Sequence, residues 1–464
     1  MFHWRNLIKA ALIIAILDGA LRKWFFPDLA NVLYFLKDFV LIAAYFQFFF
    51  LENIHPKIPR ELRNVVPLFI LVLAFICFQA LNPALGSPIA GLMGIRNYFI
   101  YAPLVLVMPH VFRSEKELFD YLRFFVLLMI PVGILGFFQY VTPPTSFLNR
   151  YVGEAEAGSN VVRFGEGRAR ITGTFSYIGG YAAHLTLVFV LLVPLLLSTA
   201  KGTRTRELLL LALGLTLANM LMTGSRGPVY GSVLFTILFF GILIVHFPID
   251  FAKYMPRLAM LGLVGIIAIS QSSALKAFQD RATRGGASQD SRMNLFYWGR
   301  AYTDLFRYGN DGGWGTGSMH QATNALRDFL NLPRGAQPPA LEDEPDRILA
   351  EQGPVGFVLW YLLRLTLLYV LWKTYRHLRK PALRNLALAA FLYTGLLFIN
   401  QMVFHHTNGI YYWFMTGMLA VLPAIQRSED ERLRKLKLAI LISSFHNEEE
   451  EAEGEQERVP ALAT

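Results

Sequence analysis

Arginine is spread unevenly along this sequence, and the pattern points to anion chemistry. The stretch 142–175 carries Arg150, Arg163, Arg168 and Arg170. The stretch 274–350 carries Arg281, Arg284, Arg292, Arg300, Arg307, Arg327, Arg334 and Arg347 against a single lysine, Lys276. A guanidinium presents a planar fork that grips phosphate oxygens in pairs, whereas an ammonium is a point charge. Arg226 stands in the short stretch LMTGSRGPVYG at 221–231. Gly and Pro suffice to make a turn there, and turning requires no charge. Arg170 lies in RARITGTFSYIGGYAAHL at 168–185, where Gly173 and Thr174 permit a turn. Such a set suits a diphosphate. The plainer alternative, arginines on lipid headgroups or loop carboxylates, stays open.

The other groups able to do chemistry are fewer. Glu342 and Glu344 sit in a cluster with Asp343 and Asp346. Mutual repulsion raises a carboxylate pKa toward that of a general base. A solvated charge run fits the same residues. His320 follows the Gly-rich stretch 309–317 and is either a second base or a surface histidine. Those glycines would let backbone amides approach a sugar or phosphate. They are not a P-loop, since no Gly-Lys-Ser/Thr follows. His405 and His406 alone make a poor metal site, because structural sites use about four ligands. The single cysteine, Cys77, excludes an internal disulfide and a cysteine-based cluster. No metal and no cofactor is expected.

The elements that must position these groups are membrane helices. Of 464 residues, 54% are hydrophobic and only 16% charged, against about 25% charged in ordinary soluble proteins. A soluble fold of this size cannot hide so much apolar surface. Apolar runs of spanning length lie at about 7–21, 30–51, 65–82, 89–108, 120–141, 176–199, 207–222, 228–247, 257–273, 353–372, 385–404 and 408–425. The expectation is an all-α polytopic membrane protein with about twelve helices. The fourth run carries Arg96 and Asn97 near its middle, so its true span is expected to start near Tyr98. The N-terminal run lacks a small-residue cleavage site and reads as a span, not a signal peptide.

Lysine and arginine in alternate short loops place both termini in the cytoplasm. The net charge of +10 is then a topology signal, and no nucleic acid is expected. The long loops 142–175 and 274–350 fall outside, the second between the ninth and tenth spans. Residues 1–425 form the transmembrane domain with these loops. Residues 426–464 form a cytoplasmic amphipathic stretch and a disordered acidic tail. Within the spans, Lys37 or Arg96 is expected to pair with Asp18 or Asp38, or else to serve a substrate groove with Arg22.

Four short motifs resemble the O-antigen ligase and polymerase family of bacterial inner-membrane glycosyltransferases. They are R-x-x-G-T-F from Arg170 to Phe175, S-R-G from Ser225 to Gly227, and R-x5-W at Arg292 and Trp298 followed by G-x-G at Gly315 and Gly317. The fourth is E-x-G-x-x-G at Glu351, Gly353 and Gly356. The likeness covers about 165–360, with an LRKW-P stretch at 21–27 adding a little. It implies transfer of glycan from undecaprenyl diphosphate to a hydroxyl at the periplasmic face, without metal and with inversion. Arg170, Arg226 and Arg292, with Arg300 in reserve, would hold the diphosphate. Glu342 or Glu344 would act as base, and Arg22, Arg96 and His320 would line the groove. Ligases of the family usually carry His ahead of the E-x-G segment. Here that place is Glu342, which favours a repeat-unit polymerase. Partners would be the lipid-linked glycan, the bilayer and other polysaccharide-assembly proteins. A ligase, a lipid-linked glycan flippase and a non-catalytic assembly partner remain as rivals.

Overall fold

Helix starts along this chain are marked by side chains that occupy otherwise unpaired amides. Ser87 accepts from the Ile89 amide before Pro88 opens a helix, Ser114 accepts from Glu117, and Thr203 accepts from Arg206. The computed structural model describes residues 3–52, 58–152, 162–164, 167–247, 312–336, 338, 341 and 343–456. Those residues are predominantly helical, and their β-structure is one antiparallel pair, Arg163–Phe164 with Arg168–Ala169.

The helices are α1 (Trp4–Ala20), α2 (Ala30–Leu33), α3 (Leu36–Phe46), α4 (Val66–Gln79), α5 (Pro88–Phe99), α6 (Leu104–Val111), α7 (Glu115–Leu127) and α8 (Met129–Val141). There follow α9 (Ile178–Ser198), α10 (Arg204–Met222), α11 (Arg226–His246), α12 (Gln321–Leu330), α13 (Glu344–His377), α14 (Pro381–Leu396) and α15 (His406–Gln456). Six stretches are long and apolar enough to cross a membrane: 27–51, 115–141, 178–198, 204–222, 226–246 and 344–377. The pair α5 and α6, bent by 44°, makes a seventh if counted as one broken span. The bend falls at 100–103 and not at Tyr98. The chain is thus an all-α protein of multi-pass membrane type.

The expected count of about twelve is not reached among the described residues. Helices α1, α4 and α14 match expected spans but are short, at 17, 14 and 16 residues. The ninth run, 257–273, lies outside the described residues. The last helix, α15, runs past Gln426 to Gln456.

Packing places α9, α14 and the first half of α15 at the centre, where α15 lies against α6 and α14 against α13 and α9. Outer helices turn large apolar side chains outward, among them Phe39, Phe50, Ile70, Phe78, Ile237 and Val358, as lipid contact requires. The turns form two sets. In one, Trp4 donates to Glu52, Lys9 to Glu117 and Lys380 to Glu115. The other gathers residues 21–30, 170–176 and 223–225. That second set carries the candidate site.

Candidate functional site

The motif loop 170–176 is held from three sides. Lys23, 1% exposed, donates to the Thr172 hydroxyl at 3.0 Å and to the Gly173 carbonyl at 2.8 Å. Gln139 at the end of α8 accepts from the Thr172 and Gly173 amides and donates back to the Gly173 carbonyl. Thr174 donates to the Ile16 carbonyl of α1, and Arg22 donates to the Ser176 hydroxyl at 2.9 Å. Gly19 is needed at the crossing, since a Cβ there would lie 2.3 Å from the Ser176 amide nitrogen. The 21–27 stretch is therefore the cradle of the R-x-x-G-T-F loop.

That loop meets the second motif. Arg170 donates to the Thr223 carbonyl at 2.7 Å and to the Ser225 hydroxyl at 2.8 Å. Thr223 and Ser225 form the turn between α10 and α11, and Arg226 is the first residue of α11. Two arginines some fifty positions apart in sequence thus stand on one turn at the end of the bundle. Arg292 and Arg300 lie outside the described residues.

A second cluster surrounds the Tyr34 ring. Arg22 and Arg96 each place their guanidinium carbon 5.2 Å from its centroid, Lys37 places its Nζ at 5.3 Å, and the His406 ring packs edge-on at 4.9 Å. The expected pairing of intramembrane charges is present. Lys37 bonds Asp18 at 3.3 Å, and Arg96 bonds Asp38, with Nε at 2.9 Å. Tyr101 donates to the same Asp38 carboxylate. Arg96 also reaches Asn97 Oδ1 at 3.0 Å and His406 Nε2 at 3.2 Å. Arg22 and Arg96, read as groove residues, are thus brought together.

His320 joins this cluster. Its ring lies 5.2 Å from that of His406 and stacks near Phe404. It is buried, not a surface histidine, at 6% exposure. Burial, with the nearby charges of Arg96 and Arg347, pushes its pKa down to about 3. At neutral pH it is an uncharged donor and acceptor.

No protein-family model matches this chain, and no curated protein matches it. The site is therefore read from its own chemistry.

Two sequence expectations change on the structure. The amides of residues 314–316 are taken within the chain and are not offered to a ligand. Trp314 and Gly315 donate to the Ala350 and Glu351 carbonyls, and Thr316 donates to the Gln79 carbonyl. Gly313, Gly315 and Gly317 all have positive φ, and a Cβ on Gly317 would lie 2.5 Å from the Ala90 carbonyl oxygen. These glycines let the segment thread between α4, α5 and α13. Glu344 also differs. It is 1% exposed, bonds Arg364 at 3.3 Å and accepts from the Met402 and Val403 amides. A carboxylate so engaged fastens the turn before α15 as the partner of Arg364 and of two backbone amides. Glu342 lies outside the described residues.

Some residues escaped the sequence reading. Gln139 holds the loop from outside every motif; Lys23 lies in the 21–27 stretch but was not weighed as a site residue, its signal being a lysine at a span end where no topology rule wanted it. Glu351 lies inside a motif but was not weighed as a carboxylate. It accepts from Tyr98 at 3.0 Å and from the Met319 amide at 2.9 Å. Gly353, with φ 64° and ψ 179°, breaks α13 just beyond it.

Proposed function

We propose that the chain is a membrane glycosyltransferase that joins undecaprenyl-diphosphate-linked oligosaccharide units, a polysaccharide or O-antigen polymerase of the bacterial inner membrane. Both termini are cytoplasmic, about twelve helices span the bilayer, and the site with its loops faces the periplasm. The observation that carries this reading is the meeting of Arg170 with the Thr223–Ser225 turn beside Arg226, on a loop also bound by Arg22 and Lys23. A cluster of cations at the end of an apolar bundle matches a substrate with two phosphates and a lipid tail.

The chemistry follows from charge. An acceptor hydroxyl attacks C1 of the donor sugar. The C1–O bond to phosphate breaks and its electron pair leaves with the lipid diphosphate. Charge builds on that leaving group, so fixed guanidinium groups lower the barrier. The hydroxyl proton passes to a base, for which Glu342 and neutral His320 are the candidates. The likeness to the ligase and polymerase family supplies the expectations of inversion and of no metal.

Purified protein with undecaprenyl-diphosphate-linked repeat units from its native cluster should form a glycan ladder in EDTA. Arg170→Ala and Arg226→Ala should each slow laddering by about a hundredfold or more while the protein stays folded. Labelled lipid crossing the bilayer with no glycan product would replace the enzyme by a flippase. Product only on a lipid A core acceptor would make it a ligase.

A further inference from the structure

Helix α12 falls between α11 and α13 and, at 10 residues, is too short to cross a membrane. It nevertheless ends on two exposed apolar side chains, with Phe329 81% and Leu330 44% exposed. Its packed side is committed. Thr323 is buried there, and Arg327, also buried, donates to the Leu85 carbonyl at 2.8 Å. A single exposed leucine needs no explanation, whereas a contiguous apolar patch marks an interaction surface.

These two side chains continue a surface that faces lipid. Residues 327–336 are fastened to the turn between α4 and α5. Besides the Arg327 bond, the Ala336 amide donates to the Ala84 carbonyl at 2.8 Å, and a Cβ on Gly86 would lie 2.7 Å from the Gly335 amide nitrogen. The Leu332 amide donates back to the Arg327 carbonyl at 2.9 Å and turns the chain after α12. On either side of the α4–α5 turn, Phe78, Leu81, Ile89 and Leu92 are all exposed, as lipid contact requires. The charges beside Phe329 cancel, because Arg334 bonds Asp328 at 2.8 Å with both side chains exposed. An apolar pair next to a neutralised charge pair fits the boundary between acyl chains and headgroups.

We propose that the end of α12, through Phe329 and Leu330, seats in the bilayer leaflet at the motif-loop end of the bundle and anchors the loop there. The occupant is lipid, because the pair adjoins four side chains of the lipid-facing surface and its neighbouring charges offer no net charge to a polar partner. The leaflet is fixed by the rest of the segment. The His320 ring lies 5.2 Å from that of His406, His406 meets Arg96, and Arg96 shares the Tyr34 ring with Arg22, which bonds Ser176 of the motif loop. The anchor therefore sets the height of the 312–336 segment, threaded between α4, α5 and α13, above the acyl chains. The inference does not depend on glycosyl transfer and would hold equally for a transporter.

Spin labelling of the full chain in nanodiscs tests it. In a Cys77→Ser background, nitroxides are attached at Phe329→Cys, at Phe78→Cys as the lipid-facing reference and at Lys201→Cys as the aqueous one; all three positions are exposed. Collision with oxygen, which partitions into lipid, is compared with collision with a water-soluble nickel chelate. The oxygen-to-nickel ratio at Phe329→Cys should match that at Phe78→Cys and exceed that at Lys201→Cys by about fivefold or more. Leu330→Cys should follow Phe329→Cys and decides the matter if the first variant folds poorly. A ratio equal to that at Lys201→Cys would place the pair in water and overturn the anchor. Loss of collision with both reagents would show a protein cover, such as a segment within 248–311, and would overturn it as well.

Discussion

Around Tyr34 the ionisable residues are treated in two ways, and the pattern decides their use. Arg96 and Lys37 are paired with Asp38 and Asp18, so their first effect is to hold α1, α3 and α5 together. A buried pair of this kind adds little net stability but is costly to halve. His320 takes the other route and stays uncharged. The unfolded chain protonates His320 near the ordinary value of 6.5, while the folded chain does so only at about 3. Folding therefore has to shed a proton at any pH between these values. Stability is full above about 6.5 and falls as pH drops toward about 3. His320→Gln should flatten that acid-side loss. Melting temperatures at pH 7 and pH 5 should show a smaller drop in the variant, and an equal drop would refute the neutral buried state.

At the level of elements, close backbone approach replaces side-chain contact wherever a loop enters the bundle. Gly19 lets α1 touch the 174–176 turn, and Gly94 with Gly317 lets the 313–317 segment cross α5. An alanine at 317 would face both the positive φ of 96° and the Ala90 carbonyl. Gly317→Ala should destabilise the protein by about 1–3 kcal/mol. Gly214→Ala, inside α10 where nothing lies within 4 Å, is the control and should leave stability unchanged or raise it slightly. Thermal unfolding in detergent separates the two, and equal melting temperatures would show that the segment is not seated against α5. These contacts also explain why the Gly-rich motif looked like a ligand loop in sequence. Glycine spacing reports tight approach, and only the fold says whether the neighbour is a phosphate or a helix.

Across the whole molecule, the two sets of turns define two faces. The Lys9, Glu117, Lys380 and Glu115 contacts belong to one, and the motif loops to the other. The single natural cysteine makes the assignment easy to test. In a Cys77→Ser background, Ser114→Cys and Lys201→Cys should label only from the cytoplasm and Gly227→Cys only from outside; all three positions are exposed. Labelling of Gly227→Cys from the same side as Lys201→Cys would overturn the orientation and with it the periplasmic site.

The sequence alone determined the membrane class and most helix positions, because apolar length is a local signal. Apolar runs at 176–199, 207–222 and 228–247 match α9, α10 and α11 closely. Which groups meet was decided by the tertiary structure. Nothing in the chain order shows that Lys23 reaches Gly173 or that Arg170 reaches the Ser225 turn, since those contacts cross about 150 and 55 positions. Nor does composition show that Glu344 is consumed by Arg364. Burial and pairing are properties of neighbours in space, and a carboxylate or hydroxyl acquires its chemistry from them.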